Sequence, residues 1–415
     1  MNVSIPKLNQ YYIVLFMLPI LTTPTVNLVG ELMFSDIAVV ILTPILLMNK
    51  NLNFSQPYLK PILILLFIWL ISAVVSDIVN ETSINNMMKG SAAIIFFAFH
   101  LLVFFVLING RRERYTAAII GSAVAVILKW VTASEGLYTQ DLTETPWKMG
   151  GGFSITILTV VILSIFVKSE KVKGKALLFL APVHLFLNAR SLFLTTVLAG
   201  LVSGFQLKVS SEKTRKTLLM GTIGLVVLVF PVATSIYGNL NQAGVFGEEA
   251  RVKYLKQTAG GEVNIIIAGR SESLVSFKAI SDSPFLGHGS WAESAYYYTI
   301  LLSQNEALGK QVHWSALDNR EKLLIPSHSL LFGAWVYHGV FGAFFWFFIL
   351  FITLKAIGNS IGTPGSKAIP TLSLLVLFAL LWDIFFSPFG QVRRCFEAIY
   401  IVVACIVVSE SKQKI

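Results

Sequence analysis

The chain has 415 residues, of which 55% are hydrophobic and only 13% charged. That balance excludes a water-soluble globular enzyme and defines a polytopic membrane protein. The net charge of +10 falls largely in short loops, so it reports membrane orientation rather than nucleic-acid binding.

Apolar runs of about 17 to 25 residues, the length a bilayer demands, occur near 11–29, 32–48, 61–77, 90–109, 115–132 and 151–167. They continue near 176–188, 191–206, 217–236, 328–356, 369–387 and 395–409. The expected fold class is therefore all-α, with about twelve transmembrane helices. The first run is preceded only by Lys7 and is followed by no small-residue cleavage site, so it is expected to be retained. Cys395 and Cys405 lie in or beside the last run, where a disulfide framework has no role.

Orientation follows from the basic residues of alternate loops. One set carries Lys50 and Lys60, then Arg111, Arg112 and Arg114, then Lys168, Lys171, Lys173 and Lys175. The same set continues with Lys208, Lys213, Arg215, Lys216, Lys355 and Lys367, and the tail adds Lys412 and Lys414. The opposite short loops hold only Lys89, Lys148, Arg190, Arg393 and Arg394. Both termini are expected to be cytoplasmic. The chain then divides into residues 1–236 with nine spans, an extracytoplasmic loop at 237–327, and residues 328–415 with three more spans. The loop is turn-rich and is expected to hold one or two small helices, for instance around "SLVSFKAI".

Topology collects His328, Arg190, Arg270, Arg393 and Arg394 on the extracytoplasmic side. Several guanidinium forks at one water–membrane boundary suit a multiply charged anion, above all a lipid diphosphate, because each fork can grip phosphate oxygens bidentately. The plainer reading makes these arginines headgroup anchors. His328 stands in "IPSHSLLFGAWVYHG" just where an apolar helix begins, with Pro326 before it. An imidazole there is suited to take a proton from an attacking hydroxyl; the plainer role is capping, for which Ser327 and Ser329 are equally able.

Asp383 in "LLWDIFFSP" is an acid inside a span, either an alternative base or a partner of Arg393 or Arg394. His338 falls about 80° around the helix from His328. His288, His313, His100 and His184 have weaker settings. Glu272, Asp282 and Glu293 read as solvated charges. No zinc-ligand spacing, phosphate-binding glycine loop, dinucleotide fingerprint or nucleophile elbow is present, so neither a metal nor a cofactor is expected.

The succession "NARSLFLTTVLAG", "GRSESLVSFKAISDSPFLGHGS" and "PSHSLLFGAWVYHGVFGAFFW" resembles the O-antigen polymerase and ligase superfamily over residues 188–346. The family's features fall on Arg190, on Gly269 and Arg270, on the P-x-x-G-x-G turn of Pro284, Gly287 and Gly289, and on His328 with Ser329. A tryptophan common in the family shortly after the loop arginine is replaced here by Ser273 and Leu274. The resemblance implies a GT-C-like glycosyltransferase of the bacterial cytoplasmic membrane with a periplasmic active site. Its donor would be an undecaprenyl-diphosphate-linked glycan, a substrate rather than a cofactor, and its acceptor a second glycan; a flippase and a chain-length regulator are conceivable partners.

In that reading the transfer is inverting and metal-independent. His328 serves as base, Arg190 and Arg270 stabilise the departing diphosphate with Arg393 and Arg394 as further candidates, and Asp383, Ser329, His288, Gly287 and Gly289 have supporting places. A ligase moving the glycan to a lipid A core shares these motifs. From another class, a carrier also fits twelve spans, although carriers tend to show two related halves and broken midplane helices.

Overall fold

The computed structural model describes residues 10–28, 30–49, 53–132, 145–204, 214, 217, 235–258, 271–308, 312, 314–318, 323–361 and 369–412. The first apolar run forms helix α1 (Gln10–Ile20) and then stops. Thr22 turns its hydroxyl back onto the carbonyl of Pro19 at 2.6 Å, and Pro24 follows, so the run cannot continue as helix. The chain instead makes an antiparallel hairpin, β1 (Thr25–Asn27) with β2 (Glu31–Met33), in the register Thr25 to Met33. This shortens the helix expected over the run at 11–29, and the small hairpin sits within a fold that is otherwise all-α, as expected. Helix α2 (Phe34–Met48) follows directly, and the Asp36 carboxylate accepts the Met33 N–H at 3.1 Å.

Next come α3 (Leu59–Val79), α4 (Ile84–Ile108) and α5 (Arg112–Thr132), joined by links of four and three residues. Ser83 accepts the N–H of Asn86 to cap the start of α4. Asn109 in the left-handed conformation ends it. A wide turn at Trp147–Gly151 leads into α6 (Gly152–Phe166), followed by α7 (Glu170–Phe186) and α8 (Arg190–Gly204).

The loop contains α9 (Glu248–Gln257), α10 (Ser271–Asp282), α11 (Ala295–Ala307) and a single turn at Ser315–Asp318. It is thus more helical than its turn-rich composition suggested. Three helices close the fold: α12 (Leu330–Ser360), α13 (Thr371–Phe386) and α14 (Gln391–Lys412). The span expected at 217–236 lies almost wholly outside the described residues.

Five helices, α3, α4, α5, α6 with its leading turn, and α12, are long and apolar enough to cross a bilayer. With the shorter apolar helices α1, α2, α8 and α13 packed among them, the chain is a multi-pass helical membrane protein. Short links between mutually packed helices require antiparallel neighbours, which gives the bundle two ends. The basic end holds the links around Arg111 and Lys168, where Arg112 pairs with Glu410. Glu170 binds there at once Lys173 and the backbone N–H of Thr371, the latter at 2.7 Å. The loop end holds the 80–83 and 387–390 links and the loop helices.

Between the ends, Trp69 of α3, Phe97 of α4, and Phe345 and Trp346 of α12 interlock with Phe389, with ring centroids 5.0–6.1 Å apart. Edge and offset packing of such large rings fills the core here.

Candidate functional site at the loop end

Ser329 is the N-cap of α12, accepting the N–H of Phe332 at 3.0 Å, and its hydroxyl donates to the carbonyl of Ile384 at 2.8 Å. One residue thus starts α12 and ties that start to α13. Capping therefore belongs to Ser329, and His328, one position earlier, does none of it. The approach is fixed as well: Ile325 donates its N–H to Ala292 and the Pro326 carbonyl accepts from Ser276 at 2.9 Å. The His328 side chain is 57% exposed, and its Nδ1 lies 3.3 Å from Oε2 of Glu272 in the first turn of α10.

Arg190 opens α8. The link before it is held by the Ala189 N–H on the His184 carbonyl at 2.7 Å, and its guanidinium lies 5.5 Å from the ring centroid of Tyr237. A helix N-terminus adds partial positive charge to that of the side chain.

Arg190 and His328 share a level by helix register. At the basic end, the hydroxyls of Ser203 in α8 and Thr371 in α13 meet at 2.5 Å. The two helices pack against each other in opposite directions. From Ser203 back to Arg190, and from Thr371 forward to Ile384, the rise is about 20 Å each. Ile384 is the residue whose carbonyl holds Ser329. Beside it, Asp383 accepts Arg393 at 2.7 Å and the Ser387 hydroxyl at 2.5 Å, while Arg393 also reaches Glu397 at 3.2 Å. Of the two pairings open to Asp383 in the sequence, the one with Arg393 is realised. This end of α13 thus holds two contacts, His328 with Glu272 and Arg393 with Asp383 and Glu397, and Arg190 stands at about the same height along the bundle.

Other expected site residues lie elsewhere. Arg270 is outside the described residues, immediately before the start of α10. Arg394 faces inward: its Nη2 is 2.7 Å from Asp36, whose other oxygen lies 3.7 Å from His100 Nδ1, and all three are buried. This corrects the expectation that Arg394 binds a diphosphate: neighbouring residues on a helix point about 100° apart, so Arg394 meets the buried Asp36 while Arg393 meets Asp383.

His288, Gly287 and Gly289 form a clamp rather than part of the group around His328. The N–H groups of His288 and Gly289 donate to Val336 and Tyr337, and the His288 ring nitrogen Nε2 meets the Ala279 carbonyl at 2.9 Å. These bonds exist because α12 breaks at Gly339, with φ +71, freeing carbonyls for the turn.

Beneath the clamp runs a buried relay that the sequence reading did not anticipate. The Trp69 indole N–H donates to His338 Nδ1 at 2.9 Å, His338 Nε2 meets the Ser290 hydroxyl at 3.0 Å, and Ser290 donates to Asp77 at 2.9 Å. The serine stands between imidazole and carboxylate, so this is not a nucleophile's arrangement. It pins the loop to α3 and α12. Asp36 and Asp77 had carried a readable signal, an acid within or at the end of an apolar run. Glu272 carried none. No family model, curated protein or solved structure matches the chain.

Proposed function

We propose that this membrane protein is a surface-polysaccharide polymerase of the O-antigen polymerase and ligase type, GT-C-like with twelve spans, in the bacterial cytoplasmic membrane. In this reading the loop end is periplasmic, both termini are cytoplasmic, and a glycan moves from undecaprenyl diphosphate to a lipid-linked acceptor. The acceptor hydroxyl oxygen attacks the anomeric carbon, and the bond from that carbon to the diphosphate oxygen breaks. The diphosphate leaves with the bonding pair, and the hydroxyl proton passes to His328. Arg190 meets the growing negative charge on the diphosphate, and Arg270 adjoins the same helix as Glu272.

The observation that carries the reading is the level shared by an exposed imidazole on a rigidly capped helix start and a guanidinium at a helix N-terminus, where the loop meets the bundle. Positioning of this kind is what a base and a leaving-group site require of one another.

The test is incubation of the purified protein with a lipid-linked repeat unit in vesicles. The wild type lengthens the repeat, and His328→Ala lowers the rate by about 10²- to 10⁴-fold. Transfer only when a lipid A core is supplied would make it a ligase. Passage of the repeat across the vesicle wall without a new glycosidic bond would make it a carrier.

A further inference from the structure

Glu272 read as an ordinary solvated charge in the sequence, yet its carboxylate meets the imidazole of His328, with Oε2 3.3 Å from Nδ1. The two backbones cannot drift apart. Ser276, one turn beyond Glu272, holds the carbonyl of Pro326 at 2.9 Å. Phe277 packs edge-on against Phe332 with centroids 4.9 Å apart. Val275 and Ala279 are fully buried in a cluster with Ile325 and Val336. Helix α10 is therefore fixed against the start of α12 from both sides of His328.

Two nearby acids have cationic partners of their own. Lys278 binds Asp282 at the far end of α10, and Asp383 of α13 binds Arg393, which also holds Glu397.

We propose that Glu272 is a positioning residue for His328: its carboxylate accepts the N–H at Nδ1, and this fixes Nε2 as the nitrogen that receives a proton. The two ring nitrogens of a neutral imidazole exchange roles by tautomerisation, so a base without such a partner spends part of its time presenting an N–H where a lone pair is needed. A carboxylate on Nδ1 removes that loss and stabilises the imidazolium formed in the reaction. The alternative is an exposed ion pair with no consequence beyond the surface, Glu272 being favoured in a first helical turn by the helix dipole alone.

The assignment of a catalytic role rests on the polymerase reading, but the pairing does not, and the experiment separates the two. Full-length protein carrying ring-labelled histidine is titrated by NMR as wild type and as Glu272→Gln, with His328→Ala identifying the resonance. The expected result is a fall of about 0.5 pH unit or more in the midpoint of His328 on losing the charge, with a shift of the neutral ring away from the Nε2 lone-pair tautomer. In the lengthening assay, Glu272→Gln lowers kcat about tenfold with KM for the lipid-linked repeat unchanged. Its acid limb moves to lower pH, because a less basic imidazole stays neutral further down. Glu272→Asp, which keeps the charge, restores the midpoint in part.

An unchanged midpoint and tautomer in Glu272→Gln overturn the proposal whatever the rate does. A coupled titration in a protein that lengthens nothing supports the pairing and sinks the polymerase reading alone.

Discussion

Asp77 and Ser290 lie 213 residues apart in the chain and are joined twice: the Ser290 N–H reaches one carboxylate oxygen at 2.5 Å and its hydroxyl the other at 2.9 Å. Both residues are buried, and the hydroxyl continues the contact to His338 and through it to Trp69. This pair of hydrogen bonds is part of the seam between loop and bundle. A long loop is free to wander unless its backbone polar groups find partners, and here the partners are supplied by α3.

Ser290→Ala removes one bond to Asp77 and strands both its oxygen and His338 Nε2 in a buried setting. A loss of about 1–3 kcal/mol is expected. A lower melting midpoint in detergent, with faster amide exchange confined to 283–291, would bear this out. If exchange instead rises evenly through the bundle, the seam is not local and the account of it is wrong.

Gly339 and Gly333 stand in the same helix and predict opposite outcomes. A Cβ at Gly339 would lie 1.9 Å from the carbonyl oxygen of Phe285, on a backbone with φ +71, so Gly339→Ala must push the loop turn off the helix. At Gly333 the nearest atom is Ser327 Oγ at 3.4 Å. The helical backbone there welcomes alanine, which stabilises by about 0.5–1 kcal/mol. The expected result is loss of folded, monodisperse protein for the first variant and an unchanged or raised melting midpoint for the second.

The parts of this fold legible in the sequence are those set by local pattern. The apolar runs at 61–77, 90–109 and 115–132 became α3, α4 and α5, which start two to six residues earlier and end within two residues of the expected ends. The run at 11–29 failed because Thr22, Thr23 and Pro24 are apolar enough in company but end a helix through their own backbone chemistry. At the site, Ser329 and Pro326 were readable as a rigid helix start. The Glu272 partner was not, since it depends on how α10 packs on α12, and the His338 contact with Trp69 spans 269 residues. Which of two adjacent arginines turns inward is likewise decided by the facing helix, where Asp36 waits for Arg394.

The Asp36–Arg394 pair yields a third prediction. Asp36 Oδ1, His100 Nε2 and Arg394 Nε have no hydrogen-bond partner among the described residues, so the pair is buried without full satisfaction. Taking away either partner leaves one charge buried alone, at a cost of about 3–5 kcal/mol. Asp36→Leu together with Arg394→Met replaces both by apolar groups, and recovery of most of that loss is expected. Melting midpoints of the two single variants and the double variant form the cycle. Additive losses would mean that the charges stabilise independently and that the ion pair has been misread.

Asp282 closes α10 and links it to α11, and its titration sets the acid limit of that contact. Its carboxyl is held below the ordinary carboxylate value of 3.8, first by the hydrogen bond from the Lys278 ammonium and then by the one from the Tyr297 hydroxyl at 2.9 Å. A folded-state value below the unfolded one means that the carboxylate's contribution is fully present above the unfolded value. It is lost as pH falls from there through the lower folded value. The packing of α10 on α11 should therefore hold at neutral pH and loosen below about 3.8. Asp282→Asn, which cannot ionise, should remove that part of the acid dependence, and Tyr297→Phe should shrink it, because with one partner fewer the folded value lies closer to the unfolded one. Pepsin cleavage between 283 and 294 as a function of pH reads the loosening directly. A wild-type profile matching that of Asp282→Asn would show that this carboxylate does not hold the two helices together.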